Sequence, residues 1–182
     1  MGNWQLDPYH TQVEFSAKHL GMMTVRGSFD EVSAMADIDP EHPESASVEV
    51  TISTASVRTN NAIRDNDIRS GNYLEVDKYP VMRFKSTGVE VIDADHYTLH
   101  GDLTIKETTH PVSLAVLKYG EFNDPMMGHR ISYSAMTKIN RKDFGVHFNM
   151  VLDGRMVVSE DIQIQIEGEL VEQKEAAEAP SS

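Results

Sequence analysis

At 182 residues, 40% hydrophobic and 25% charged, the chain suits one soluble domain with a substantial core rather than a disordered segment. A formal net charge of −13 argues against partners rich in phosphate, both nucleic acid and an anionic membrane surface. There is no cysteine, which removes disulfides, thiol nucleophiles and thiolate metal sites.

The opening Met1-Gly2-Asn3-Trp4-Gln5-Leu6 has neither a basic nor an apolar leader pattern. No apolar run approaches the ~20 residues of a membrane span, so stable membrane insertion is not expected. The expected location is cytoplasmic, or periplasmic if a signal was removed.

Period-two alternation starts at Val13, Phe15 and Ala17, and continues through 25–29 and 34–38. Asp39-Pro40 and His42-Pro43 supply turn chemistry before Val48, Val50 and Ile52 resume the pattern. Residues 60–69 then break it. Asparagines suited to N-capping precede this stretch and Gly71 lies near its end, which predicts a short helix with a glycine C-cap. Alternation returns at Met82 and Phe84, then in 97–105, in 112–116 and in 131–139. Turns at Asp93-Ala94-Asp95, Asn123-Asp124-Pro125 and Asp153-Gly154 separate these runs.

The last run is the clearest: Ile162, Ile164, Ile166 and Leu170 share one parity, and Gln163, Gln165, Glu167 and Glu169 the other. Residues 1–172 therefore read as one mostly antiparallel, all-β domain of eight or nine meandering strands. The acidic stretch 173–182 has little apolar to bury and is expected to be disordered. A closed barrel and a two-sheet sandwich both satisfy such a pattern, and periodicity does not separate them.

A family resemblance does. Trp4, then Leu6-Asp7-Pro8-Tyr9-His10-Thr11, Lys18-His19-Leu20-Gly21 and Val25-Arg26-Gly27-Ser28-Phe29 come first. Arg64-Asp65, Ile68-Arg69-Ser70 and Tyr79-Pro80-Val81-Met82-Arg83-Phe84 follow. Gly101-Asp102-Leu103-Thr104-Ile105, Thr109-His110-Pro111-Val112 and Ile139-Asn140-Arg141-Lys142-Asp143-Phe144-Gly145 complete the set. In this order the motifs resemble the YceI-like family of polyisoprenoid-binding proteins over about 4–170. The resemblance implies an extended, lipocalin-like, eight-stranded β-barrel with a short helix near its mouth. It also implies a long isoprenoid, such as a quinone tail or polyprenyl chain, held inside, and a possible homodimer. Asp67, Glu107 and the Tyr73-Leu74 pair depart from the family pattern, which bears on the identity of the cargo more than on the fold.

The ligand-binding candidates are Phe15, His19, Phe29, Ile63, Arg64, Tyr73, Met82, Phe84, Leu103, Tyr133, Ala135, Arg141, Phe144 and Phe148. The aromatic residues suit either a channel lining or plain core. The ten methionines offer adaptable apolar surface or simply fill gaps. Arg64-Asp65 and Arg141-Asp143, with His10 and His19, suit a head group, or else organise local backbone. His96 and His100 lie ~13 Å apart on one strand, too far to share a metal. No catalytic residue, metal or cofactor is expected beyond a bound isoprenoid lipid. The alternative is an enzyme acting on a small amphiphile in the same cavity through His19 or Arg141.

Overall fold

The computed structural model describes residues 2–173. Three of its barrel staves are broken strands. β1 (Gly2–Leu6) and β2 (Gln12–His19) form the first, interrupted by a 3-10 turn at Pro8–His10. β3 (Met23–Phe29) with β4 (Val32–Ile38) form the second, and β5 (Ser47–Ser53) with β6 (Val57–Arg58) the third. Helix α1 (Ala62–Arg69) follows, then β7 (Val81–Val91), β8 (His96–Ile105), β9 (Thr108–Asp124) and β10 (Gly128–Asn140). β11 (Val151–Leu152) and β12 (Arg155–Met156) make a small separate hairpin before the last stave, β13 (Asp161–Glu172).

Each stave pairs antiparallel with its neighbour in sequence, and β13 closes the circuit. One edge of β13 follows β10 from Asp161 opposite Asn140 to Val171 opposite Arg130. Its other edge pairs first with β2, Gln163 opposite Ser16, and then with β1, Leu170 opposite Leu6. The result is a closed eight-stranded, lipocalin-like β-barrel, which decides between barrel and sandwich. Closure pairs most of the wall on both edges, while β6 pairs with β3 alone, over Ser28 and Phe29.

The helix forms where alternation stops. Asn61 caps it, its side-chain oxygen accepting from the Arg64 amide at 3.0 Å. The C-terminus differs from expectation: Ser70, in extended conformation, ends the helix and donates its amide to the Asn66 and Asp67 carbonyls. Gly71 is not needed as a left-handed cap. Arg69 ties the helix to the third stave through the carbonyls of Ala55 (2.9 Å) and Val57 (2.6 Å).

Two apolar clusters occupy the two ends of the barrel. At the helix end, Met82, Ile105, Ile139 and Phe144 are buried together, with Leu74 packed against them. At the opposite end, Trp4, Ala36, Ile38, Ile131 and Leu170 pack together, and the Trp4 indole donates to the Ile38 carbonyl at 3.2 Å. A bulge in β9 leaves Tyr119 unpaired: Gly120 faces Ser132, whereas Lys118 faces Tyr133. Of the tail expected to be disordered, 174–182 lies outside the described residues.

Candidate functional site

Between the two clusters lies a cavity of about 230 Å³. Its wall is the inward parity of the staves, carried around by cross-strand register. Val50 stands opposite Phe84, Phe84 opposite Leu103, and Leu99 opposite Leu114. Val116 stands opposite Ala135, Ala135 opposite Ile166, and Ile166 opposite Val13. All of these residues line the cavity.

The lining reaches Pro43 and Ala46 in the connection between β4 and β5, and Val89 and Tyr97 beside the β7–β8 turn. These four residues are partly exposed, and Ala46 packs against the Trp4 cluster at this end. Neither α1 nor 70–80 nor 141–160 contributes to the wall, because the Met82–Phe144 cluster fills the helix end. From Tyr97 to Leu103 is ~20 Å along the strand, or about 15 Å along the axis after strand tilt.

Of the residues singled out from sequence, Phe84, Leu103, Tyr133 and Ala135 line this cavity. Met82 and Phe144 belong to the plug at the helix end, and Phe29 packs against it. Phe15 lies beside Phe29, ring centroids 5.4 Å apart. Tyr73 makes an edge contact with Phe148 and lies 6.0 Å from the Arg141 guanidinium carbon. Ile63 is 84% exposed on the helix. His19 is exposed at the rim, with Nδ1 3.1 Å from the Val157 carbonyl oxygen.

None of the methionines contributes to the lining among the described residues; Met22, Met23, Met126 and Met127 are exposed instead. The aliphatic wall (Val50, Leu99, Leu114, Ile166) is absent from the candidate set. Its signal was the alternation itself.

The charged candidates organise backbone. Arg64 donates to the Thr59 hydroxyl (2.7 Å) and carbonyl (2.9 Å), and Asp65 accepts from the Thr59 amide at 2.8 Å. Arg141, 5% exposed, donates to the carbonyls of Ser159 (3.0 Å), Val146 (2.7 Å) and Phe148 (2.8 Å). Burial pushes its guanidinium down from its ordinary pKa, although an arginine so held stays charged. Its Nη2 is buried without a hydrogen-bond partner among the described residues.

Two further networks lie outside the cavity. Asp7, His10 and Glu169 bring possible ligand atoms within 4.8 Å of one another. Arg130 occupies that cluster, its Nη1 lying 2.6 Å from Asp7 and 2.9 Å from Glu169. Arg130 first, and then His10, hold the Asp7 carboxyl at about 2. His129 lies against Trp4 and between Glu121 and Glu172.

Inside the cavity the exposed surface is almost wholly hydrocarbon, although hydroxyl-bearing residues stand in its wall. Tyr97 satisfies its own hydroxyl by donating to the Ala94 carbonyl at 2.7 Å. Burial, reinforced by Tyr97 and Glu121, pushes the Tyr133 phenol well above its ordinary pKa, so it remains neutral.

A barrel of this topology with an apolar interior has counterparts among known proteins. The model of the YceI-like domain matches residues 4–170. The chain belongs to the YceI-like family. Protein YceI of Escherichia coli O157:H7 is 37% identical over 165 residues, covering 91% of this chain and 83% of that protein. The crystal structure of the Campylobacter jejuni YceI protein is 32% identical, with a TM-score of 0.73 over 87% of this chain and 90% of that one. A polyisoprenoid binding domain from Saccharophagus degradans has the same fold, with a TM-score of 0.68 at 14% identity, covering 95% of this chain and 100% of that one.

Proposed function

We propose that this YceI-like barrel binds and carries a long-chain isoprenoid-type lipid, such as a quinone tail or polyprenyl chain, without catalysing a reaction on it. The observation that carries the reading is the wall: apolar side chains contributed by consecutive staves line a cavity, with the Met82–Phe144 cluster packed at one end. Such a site favours a slender hydrocarbon chain over a compact polar substrate. Burying one five-carbon isoprene unit gains about 3–4 kcal/mol gross, from which the ordering of a flexible tail is subtracted. The likeness to a polyisoprenoid binding domain points the same way.

The enzymatic alternative relied on His19 or Arg141. Neither lines the cavity, and Arg141 is committed to three backbone carbonyls. A homodimer joined through the exposed Met22–Met23 or Met126–Met127 pairs belongs to the same reading, and sedimentation velocity tests it. The central experiment is organic extraction of purified protein followed by mass spectrometry, together with uptake of quinones and polyprenols by the delipidated protein. A recovered isoprenoid or saturable uptake is the expected result. An empty extract combined with no uptake would sink the reading.

A further inference from the structure

The β11–β12 hairpin buries neither of its faces. Its two-residue strands pair only with each other, Val151 opposite Met156 and Leu152 opposite Arg155. Asp153 and Gly154, both with positive φ, make the turn. Met150, Val151, Leu152 and Met156 are between 42% and 65% exposed. So short a hairpin is held by its root. The Asn149 amide donates to the Val158 carbonyl at 2.8 Å and accepts from the Val158 amide at 3.2 Å. The Leu20 amide donates to the Val157 carbonyl at 3.1 Å, which sets the hairpin beside the turn between β2 and β3. There Met22 and Met23 are 59% and 68% exposed. Apolar side chains thus project on two adjacent tips at the helix end of the barrel, which is more than scattered exposure.

The charge around these tips runs against that of the whole chain. Lys18, Arg26 and Arg155 are exposed and form no ion pair among the described residues; Lys18 gives its ammonium only to the Thr24 hydroxyl, at 2.7 Å. Within 18–26 and 149–158 the one acid is Asp153. Glu160, just beyond, is engaged by Lys142.

The opposite end also exposes apolar side chains, Ile92, Phe122 and Met126 among them. Those stand in turns that carry Asp93, Asp95, Glu121 and Asp124, with Glu41 and Glu44 in the neighbouring connection. β13 runs from one end to the other, so the ends lie ~27 Å apart along the axis, more than three Debye lengths at physiological salt. The acidic end is therefore screened from whatever the basic end touches.

A lipid surface matches both properties of the tips, offering hydrocarbon to the apolar side chains and phosphates to the cations beside them. A second copy matches only the first. A two-fold contact on these tips would bring Lys18, Arg26 and Arg155 towards their own counterparts. The cargo of a lipid carrier also resides in such a surface, and in this respect the argument rests on the carrier reading above.

We propose that the β11–β12 hairpin and the β2–β3 turn dock the barrel, helix end first, on a lipid bilayer, with Val151 and Leu152 entering the interface and Lys18, Arg26 and Arg155 meeting lipid phosphates. The contact is peripheral, since neither tip is long enough to span.

Flotation of the full chain with vesicles tests this, using phosphatidylcholine alone and phosphatidylcholine with about one phosphatidylglycerol in three lipids. Binding to both is expected, stronger on the anionic vesicles by about five-fold for each cation engaged and weakening towards the neutral level as salt rises. The double variant Val151→Glu, Leu152→Glu should bind both vesicle types at least ~10-fold more weakly. Lys18→Gln with Arg155→Gln should lower the anionic preference and leave binding to phosphatidylcholine unchanged. Met126→Glu, at the far end, should alter neither. All these positions are exposed, and unchanged urea unfolding certifies the fold. Wild-type protein that floats with neither vesicle overturns the proposal, as does a double variant that floats like wild type or a loss confined to Met126→Glu. A double variant that converts a dimer to a monomer in sedimentation velocity, with no vesicle binding by either protein, assigns the tips to a contact between copies and overturns it too. Uptake of a fluorescent isoprenoid from dilute solution separates the two readings. Flotation without such uptake would sink the carrier reading, and uptake without flotation would sink only the docking.

Discussion

The ring of Phe84 covers Gly101 so closely that a methyl group added at Gly101 would overlap it. The two residues sit on neighbouring staves, and Phe84 forms part of the cavity wall. Gly101 thus lets an aromatic ring lie flat against the barrel instead of crossing the lumen. Gly101→Ala should destabilise the protein by about 1–3 kcal/mol through overpacking, read from urea unfolding. It should also weaken ligand uptake by moving the ring inward. Combining it with Phe84→Leu should recover part of the stability, because the ring is one of two groups in the way; the Lys85 backbone carbonyl would lie 2.6 Å from the added methyl. Additive losses in the double variant would refute that cause.

Arg141 looks like a head-group anchor in sequence and a loop organiser in structure. Its three carbonyl partners lie at 146, 148 and 159, so it fastens the segment carrying the β11–β12 hairpin to the barrel end. Arg141→Leu should cost about 3–5 kcal/mol, since three carbonyls lose a charged donor. Amide exchange should rise first in 145–160. Arg141→Lys should rescue little, because an ammonium cannot span the fork. Lipid affinity per folded molecule should stay within about two-fold, which one net hydrogen bond would exceed. A stable variant that no longer binds lipid would restore the anchor role.

The contrast between Arg141 and Phe84 shows what was legible in the sequence. Alternation located the staves, and strand parity marked Val50, Leu99, Leu114 and Ile166 as inward-facing. Phe84 and Phe144 look alike in sequence, each directly following a charged residue. One belongs to a stave and faces the lumen, while the other belongs to a 3-10 turn that crosses the end and plugs it. That difference depends on the path of the loop after β10, which periodicity does not encode. Closure was similarly hidden, because β13 shares one edge between β2 and β1 across the break at Pro8–His10. The methionines misled for a simpler reason: β-branched and other aliphatic side chains already fill the inward positions, and most methionines fall in turns or on outward parity.

The Asp7–Arg130 contact sets an acid limit on stability. Folding lowers the Asp7 carboxyl from 3.8 to about 2, chiefly through Arg130 and then His10. The stabilisation is therefore present above the unfolded value and is lost as pH falls through the folded one. After allowance for solvent screening it is worth about 1 kcal/mol at neutral pH. Asp7→Asn should remove this increment, so the stability gap between wild type and variant should shrink from pH 6 to pH 2. A carboxyl NMR titration of Asp7 with a midpoint near 4 would contradict the assignment.

His129 sets an opposite, alkaline trend. Burial alone would lower its pKa, but the Glu172 and Glu121 carboxylates more than offset it, and the folded value lies above the ordinary 6.5. Its contribution is fully present below the unfolded pKa and is lost as pH rises through the folded one. His129→Gln should therefore cost more stability at pH 6 than at pH 9. The β9–β10 hairpin, which carries Glu121 and His129, should show faster amide exchange at the higher pH beyond the intrinsic increase. Equal losses at both pH values would show that His129 acts by packing against Trp4 alone.

Ala135 separates the cavity from the core most cleanly. Its cross-strand partners Val116 and Ile166 also face the cavity, so a larger side chain at 135 enters empty space instead of packed side chains. Ala135→Leu should leave unfolding free energy unchanged within about 1 kcal/mol, or raise it, because added apolar surface is buried without forcing neighbours off their rotamers. The same side chain occupies the path of a tail running towards the plug, so isoprenoid uptake should fall at least ~10-fold, the cost of one to two displaced methylene groups. Tryptophan-monitored urea unfolding and competition with a fluorescent isoprenoid read the two quantities on one sample. Lost stability with retained uptake would mean that position 135 belongs to a filled core and that the lipid, if carried, lies elsewhere. Retained stability with lost uptake is the outcome that a ligand-holding barrel requires, since a side chain that fits the cavity competes with the lipid for the same volume.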